Sequence, residues 1–105
     1  MRILFDQGTP VGIRDALTDH EVRTAYEQDW ASLLNGELLS AAEQAGFDVL
    51  LTTDTNIHFQ QNMVGRRIAI VAVSPNRWKT MRGRLDEIVL AIEAAKPGQI
   101  SFVQL

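Results

Sequence analysis

The sequence contains no cysteine, which excludes disulfide bonds and thiolate metal sites. It also has no run of about 18 apolar residues, so neither a transmembrane helix nor a membrane partner is expected. The amino-terminal segment MRILFDQG reaches an acidic residue at position 6, a pattern that argues against a secretory signal. These features predict a cytoplasmic protein. The 105 residues, 46% of them hydrophobic, contain no low-complexity stretch and predict one globular domain, residues 1–105.

Negative charge is missing from a long segment of the chain. Residues 1–54 hold ten acidic and three basic residues, whereas residues 55–85 hold no acidic residue. The bases of that second segment are Arg66, Arg67, Arg77, Lys79, Arg82 and Arg84. This separation suggests that the acidic half holds a cation and that the basic segment meets a polyanion. The alternative is an ordinary charged surface on which the two segments intermix.

Apolar segments with strand character alternate with segments of helical periodicity. The predicted strands are residues 3–5, 21–25, 48–52, 67–73 and 100–105. The predicted helices are residues 10–17 with Thr9 as the cap, 35–45, 55–63 and 78–95. This alternation predicts a three-layer α/β fold, with a mostly parallel central sheet of about five strands flanked by helices and right-handed crossovers.

Three acidic residues lie where such a fold would bring them together. Asp6 and Asp54 each follow a predicted strand, and Glu37 lies in the first turn of a helix with Asn35 as the expected cap. In a parallel sheet these positions share the edge at which ligands bind. Carboxylates gathered there repel one another, so the cluster predicts a bound cation, with Asn56 as a supporting ligand. Singly, each acid is also explained by a turn, a helix dipole or a helix cap.

Four segments of the chain resemble small bacterial PIN-like nucleases, which are related to the toxin-type PIN ribonucleases. These segments are MRILFDQGTPVGIRDAL, HEVRTAYEQDW, NGELLSAAEQAGFDVLLTTDTNI and RRIAIVAVSPNRW, and the resemblance covers about residues 1–95. It implies a metal-dependent endoribonuclease in which Asp6, Glu37 and Asp54 bind Mg²⁺ or Mn²⁺ and carry the catalysis. It also implies an RNA substrate and, as the toxin of a bacterial toxin–antitoxin pair, a small antitoxin protein as partner.

The chain departs from this family pattern at two positions. Many relatives have a second acid where this sequence has Gln7, and many have Asp where it has Asn35. Fewer carboxylates bind a metal more weakly. A catalytically inactive PIN-like module that binds protein or RNA is therefore the alternative.

A receiver-like phosphoacceptor domain is a further alternative within the same fold class. It would use Asp6, a phosphorylated Asp54 and the hydroxyl of Ser74. Two observations argue against it: receivers have a paired acid where this chain has Gln7, and they need a lysine after the last central strand, whereas Lys96 precedes the final predicted strand.

The basic segment that follows the strongest predicted strand combines charge with an aromatic ring. Arg77, Lys79 and Arg82 could contact RNA phosphates while Trp78 stacks on a base. For Trp78, burial in the core as the first apolar residue of its helix is the preferred interpretation.

Three apolar residues in the segment before the second predicted helix have two interpretations. Trp30, Leu33 and Leu34 are expected to pack into the core. Alternatively they form a surface for a homodimer or for another partner.

Overall fold

Five parallel strands form one sheet within residues 1–57 and 62–105, the residues that the computed structural model describes. The strands are β1 (Arg2–Phe5), β2 (Glu21–Thr24), β3 (Val49–Thr52), β4 (Ala69–Ser74) and β5 (Ile100–Gln104). Their order across the sheet is β2-β1-β3-β4-β5. The predicted three-layer α/β fold with a parallel central sheet is confirmed.

The helices differ in detail from their predicted bounds. They are a 3-10 helix (Val11–Ala16), α1 (Asn35–Gln44), α2 (Trp78–Met81) and α3 (Leu85–Glu93). Pro10 has an extended backbone and precedes the 3-10 helix instead of beginning a helix. The single helix predicted over residues 78–95 is interrupted by a turn at Arg82 and Gly83, where glycine is a poor helix former. Residues 58–61 of the predicted helix at residues 55–63 lie outside the described residues.

The two faces of the sheet bury separate cores because successive residues of a strand point to opposite faces. On the face that we call the α3 face, Phe5 and Val71 pack with side chains of the 3-10 helix, α2 and α3. On the opposite face, the α1 face, Leu4 and Leu50 pack with the apolar residues of α1 and with Ile57. Among the described residues, none of the helices is long and apolar enough to cross a membrane.

The first and the last crossover connections have opposite hands. The connection from β1 to β2 and the connection from β4 to β5 both cross the α3 face, but they step in opposite directions along the sheet. The right-handed geometry that about 98% of such units adopt is therefore not kept throughout. Packing accounts for this arrangement: α3 contacts the 3-10 helix, so Ile13, Ile88 and Ile92 share one core.

The strand order creates a switch point between β1 and β3. The chain leaves β1 toward β2 on one side, and then returns across β1 to form β3 on the other side. The connection that follows β1 crosses the α3 face, and the connection that follows β2 crosses the α1 face. The two therefore separate at the carboxyl end of β1. In open α/β sheets the crevice at such a point is the usual ligand site.

Candidate active site

Asp6 follows β1 directly and lies at the switch point. Its backbone N–H donates to the carbonyl oxygen of Leu51 at 3.1 Å, which continues the pairing of β1 with β3. The Thr9 hydroxyl lies 2.6 Å from Oδ1 of Asp6 and 3.0 Å from the Leu51 carbonyl oxygen, so its single proton is shared between two acceptors. The Thr52 hydroxyl donates to Oδ2. Both oxygens of this half-buried carboxylate are thereby oriented.

Thr52 connects Asp6 to Asp54. Its side chain is 0% exposed, and its hydroxyl oxygen accepts the backbone N–H of Asp54 at 3.1 Å while the hydroxyl proton goes to Asp6. Asp54 is oriented in turn, because its Oδ1 accepts the backbone N–H of Asn56 at 2.9 Å. One buried hydroxyl therefore holds the two strand-end acids at the same edge.

The start of α1 brings further polar groups to this edge. Asn35 is the first residue of α1, and its amide nitrogen lies 3.4 Å from Oδ2 of Asp54. The predicted role of Asn35 as the helix cap is wrong: Leu34 is the cap residue, with an extended backbone. Because leucine has no side-chain acceptor, the helix start relies on Glu37, whose Oε1 accepts the Leu34 N–H at 3.3 Å.

The predicted site residues therefore fall into two groups. Asp6, Asp54 and Asn35 are joined by hydrogen bonds through Thr52. Glu37 is exposed, two residues along α1 from Asn35, and its carboxylate bonds to its own helix start. Across residues 1–57 and 62–105, no group of three or more His, Asp or Glu side chains has a geometry that could hold a metal ion.

Two threonines of the site were not predicted as site residues. The sequence predicts Thr9 as a helix cap, whereas it is buried and bonds to Asp6. In the sequence Thr52 is only the last residue of a predicted buried strand. The one sequence signal for both is a hydroxyl residue within three positions of a strand-end acid, which is common in turns and therefore weak.

Asp6 lines two clefts at the edge of the sheet. The smaller, of about 130 Å³, lies between Asp6 and Asn35 and is also lined by Trp30 and Leu33. The larger, of about 450 Å³, lies on the other side of Asp6, between the 3-10 helix and the loop that follows β2.

Two of the three apolar residues before α1, Trp30 and Leu33, pack against the core, as predicted from the sequence. Trp30 packs edge-on against Phe47, with ring centroids 6.0 Å apart, and both Trp30 and Leu33 pack against the core of the α1 face. Leu34 is the exception and is 74% exposed.

Part of the basic segment lies at the same edge of the sheet as the candidate site. Arg77, Lys79 and Arg82 are exposed and follow β4 at the same edge as Asp6. Asn76 connects the two regions, since its amide nitrogen lies 3.5 Å from the carbonyl oxygen of Gly8. Trp78 is 40% exposed and its ring lies against Gly12 of the 3-10 helix. The preferred interpretation of Trp78 as a core residue is therefore wrong.

The other half of the basic segment has partners elsewhere. Arg66 forms an ion pair with Glu43, and the Arg67 backbone N–H donates to the same carboxylate at 2.6 Å. Burial alone would raise the pKa of Glu43, but these bonds lower it below its ordinary value. Arg84 pairs with Glu87. Arg66 and Arg67 also precede β4 and so lie at the opposite edge of the sheet from Asp6. Arg77, Lys79 and Arg82 therefore fit the predicted polyanion surface best.

Comparisons with protein-family models, with curated proteins and with solved structures found no match to this chain. The resemblance to PIN-like nucleases therefore stays a prediction.

Proposed function

We propose that this protein is a PIN-like, divalent-metal-dependent endoribonuclease whose site is built on Asp6 and Asp54. The observation that supports the proposal best is the Thr52 bridge, which holds these two acids together at the β1/β3 switch point. A buried, fully used hydroxyl that donates to the Asp6 carboxylate and accepts the Asp54 backbone N–H at a ligand-binding edge is more than a turn or a helix cap requires.

The donor set fits a hard cation. Mg²⁺ takes oxygen ligands, keeps several of its waters and is commonly held by one or two carboxylates together with substrate phosphates. Asp6 and Asp54 would hold it, with Glu37 and Asn35 completing the polar surroundings from α1. A divalent cation supplies Lewis-acid activation of water and neutralises charge on the phosphate.

The chain's own residues position this site and its substrate. Thr9 and Thr52 restrict the rotation of the Asp6 carboxylate, and Asn35 restricts that of Asp54. Such outer bonds usually matter for metal affinity, at roughly 10–100-fold each. Arg77, Lys79 and Arg82 would contact the phosphates of a single-stranded RNA at the same edge.

The family resemblance extends the proposal to its biological setting. In that setting the protein is a cytoplasmic toxin, a small antitoxin protein blocks the edge that carries Asp6 and Asp54, and the toxin itself can form a homodimer.

Two alternatives have an observation in their favour. Glu37 already serves the start of α1, and Gln7 replaces an acid, which favours a PIN-like module that binds RNA or protein without cleaving it. The strand order is that of flavodoxin-like sheets and suits a receiver-like phosphoacceptor, with Ser74 ending β4 at the same edge. Lys96, however, precedes β5 and so lies at the opposite edge from Asp54.

The test is RNA cleavage by the purified protein in Mn²⁺, in Mg²⁺ and in EDTA. We expect metal-dependent cleavage that falls by at least about 100-fold in Asp6→Asn and Asp54→Asn, since loss of a ligand should exceed loss of an outer partner. Asp19→Asn removes the same charge at the opposite edge and should retain full activity. RNA binding with no cleavage in either metal would favour the inactive module, and a stable acyl phosphate on Asp54 after treatment with a small phosphodonor would favour the receiver.

A further inference from the structure

The larger cleft beside Asp6 has the features of a binding site for one planar ligand. It measures about 450 Å³, within the usual range for small-molecule sites. Val11 on the 3-10 helix and Tyr26 after β2 supply its apolar walls, and both are largely exposed. Because Asp6 lines it, any ligand in this cleft adjoins the proposed catalytic site.

Tyr26 is the only tyrosine in the sequence and is 80% exposed. Its loop is ordered by backbone bonds: the Asp29 N–H donates to the Tyr26 carbonyl oxygen at 3.0 Å, and the Trp30 N–H donates to the Ala25 carbonyl oxygen at 2.8 Å. The ring is therefore presented by a fixed turn and has two rotatable side-chain angles to restrict on binding. An exposed ring on an ordered turn is a suitable surface for stacking a nucleobase.

A positioned acceptor and donor pair lies in the same cleft. The Glu27 carboxylate forms an ion pair with Arg14, and its Oε1 also accepts the Thr24 N–H at 2.9 Å. The Arg14 side chain and then the Thr24 N–H lower the pKa of Glu27, so the carboxylate is charged at neutral pH. The side chains of Arg14 and Glu27 are 38% and 42% exposed, so both remain accessible to a ligand in the cleft.

The charge of the cleft argues for a base and against a phosphate. Glu27 pairs with Arg14, the guanidinium that lines the cleft, so this pair leaves no net positive charge to bind a phosphate group. A neutral base needs no such charge. A carboxylate beside a guanidinium complements an amino group beside an acceptor nitrogen, which cytosine and adenine present on their Watson–Crick edges. When uracil or guanine is placed in the same orientation, its carbonyl oxygen faces the carboxylate.

We propose that this cleft binds an unpaired adenine or cytosine next to the scissile phosphate, stacked on Tyr26 and read by Glu27 and Arg14. The inference rests on the proposed ribonuclease function, of which it names the substrate preference. It assigns Glu27 as a specificity-determining residue and Tyr26 as the stacking residue.

The test measures binding in EDTA, so that its outcome is independent of cleavage. The test compares labelled RNA tetramers of cytidine and of uridine. Their bases have rings of the same size and differ in that the amino group of cytosine is replaced by a carbonyl oxygen in uracil. We expect the cytidine tetramer to bind about tenfold more tightly, the size of one hydrogen bond to a charged group. Adenosine and inosine tetramers repeat this exchange on a purine and should show the same direction.

Three variants separate stacking from base reading. Tyr26→Ala should weaken both pyrimidine tetramers by roughly tenfold and keep their ratio, because stacking does not depend on the base edge. Glu27→Gln should bring the ratio to about twofold or less, since its amide can turn to match either base. Asp29→Asn removes the same charge from the same loop, suits the positive φ of 62° there, and should keep the wild-type ratio.

The outcomes decide the inference separately from the proposed function. Equal binding of cytidine and uridine tetramers, a uridine preference, or loss of the ratio in Asp29→Asn as much as in Glu27→Gln would overturn it. So would the absence of binding at RNA concentrations of up to about 1 mM. A cytidine preference in a protein that never cleaves RNA would sustain the base site and reject only the ribonuclease proposal.

Discussion

Replacing Thr52 by valine tests whether the link between Asp6 and Asp54 stabilises the fold. Valine has the shape of threonine but carries a methyl group in place of the hydroxyl. The change therefore removes the bond donated to the Asp6 carboxylate and the bond accepted from the Asp54 N–H, and leaves the volume of this fully buried position unchanged.

The expected cost follows from these two bonds. A hydrogen bond to a charged acceptor contributes about 1.5–3 kcal/mol, and the loss of the N–H bond adds about 1 kcal/mol because the half-buried Asp54 is partly reached by water. Burial of the new methyl group offsets about 0.8 kcal/mol. We therefore expect Thr52→Val to lower the free energy of unfolding by about 2–3 kcal/mol. For a domain of this size that corresponds to a fall in Tm of roughly 10–20 °C.

The matched control is Thr52→Ser, which keeps the hydroxyl and removes the methyl group. It should cost about 1 kcal/mol, the usual cost of one buried methyl group. Urea denaturation followed by circular dichroism measures all three proteins, and equal m-values show that the transitions expose the same surface. If Thr52→Val is as stable as Thr52→Ser, or more stable, the bridge does not contribute what its geometry indicates and the reasoning fails.

Two further perturbations test contacts away from this bridge. Gly12→Ala places a Cβ 2.4 Å from the nearest atom of the Trp78 ring, so the partly exposed ring must move. We expect a loss of about 1 kcal/mol, the low end for overpacking, and a shift of tryptophan emission, measured by urea denaturation followed by fluorescence. Gly83→Ala is its control, since the nearest atom lies 3.8 Å from the new Cβ, and it should be neutral or stabilising. For Glu43, the folded-state pKa is lowered from 4.5, so its stabilisation is present above that value and is lost as the pH falls through the folded pKa. As the pH falls from about 5 to about 3, the free energy of unfolding of Glu43→Gln should therefore fall less than that of the wild type. If the free energy of unfolding depends on pH in the same way in both proteins, the bonds from Arg66 and Arg67 do not stabilise the protein.

The element order was predictable because apolar periodicity is a local property. Strand character at Val49–Thr52 and at Ala69–Ser74 is encoded by short apolar runs, and the period of α1 by Leu38, Leu39 and Ala42. The division of the predicted helix at residues 78–95 was less accessible, because a single glycine often lies inside a helix without ending it. The opposite hands of the first and last crossovers were not predictable, since they depend on which face of the sheet α3 covers.

The candidate site was predictable in part. Strand-end acids are visible in the sequence, and the structure places Asp6 and Asp54 at one edge, as the parallel sheet required. The groups that connect them were not visible, because Thr9 and Thr52 have ordinary local explanations as a cap residue and a strand residue. The cleft beside Asp6 was equally hidden, since Tyr26 and Glu27 come from one loop and Arg14 from the 3-10 helix.

The sequence by itself therefore determined the class of fold and the acids that lie at its ligand edge, because both follow from local periodicity and from the direction of parallel strands. Only the tertiary structure decided which polar groups share hydrogen bonds, which of the basic residues remain for a ligand, and where a base could stack. These properties depend on contacts between residues far apart in the chain, such as Thr52 with Asp6 and Arg66 with Glu43, and no local pattern encodes them.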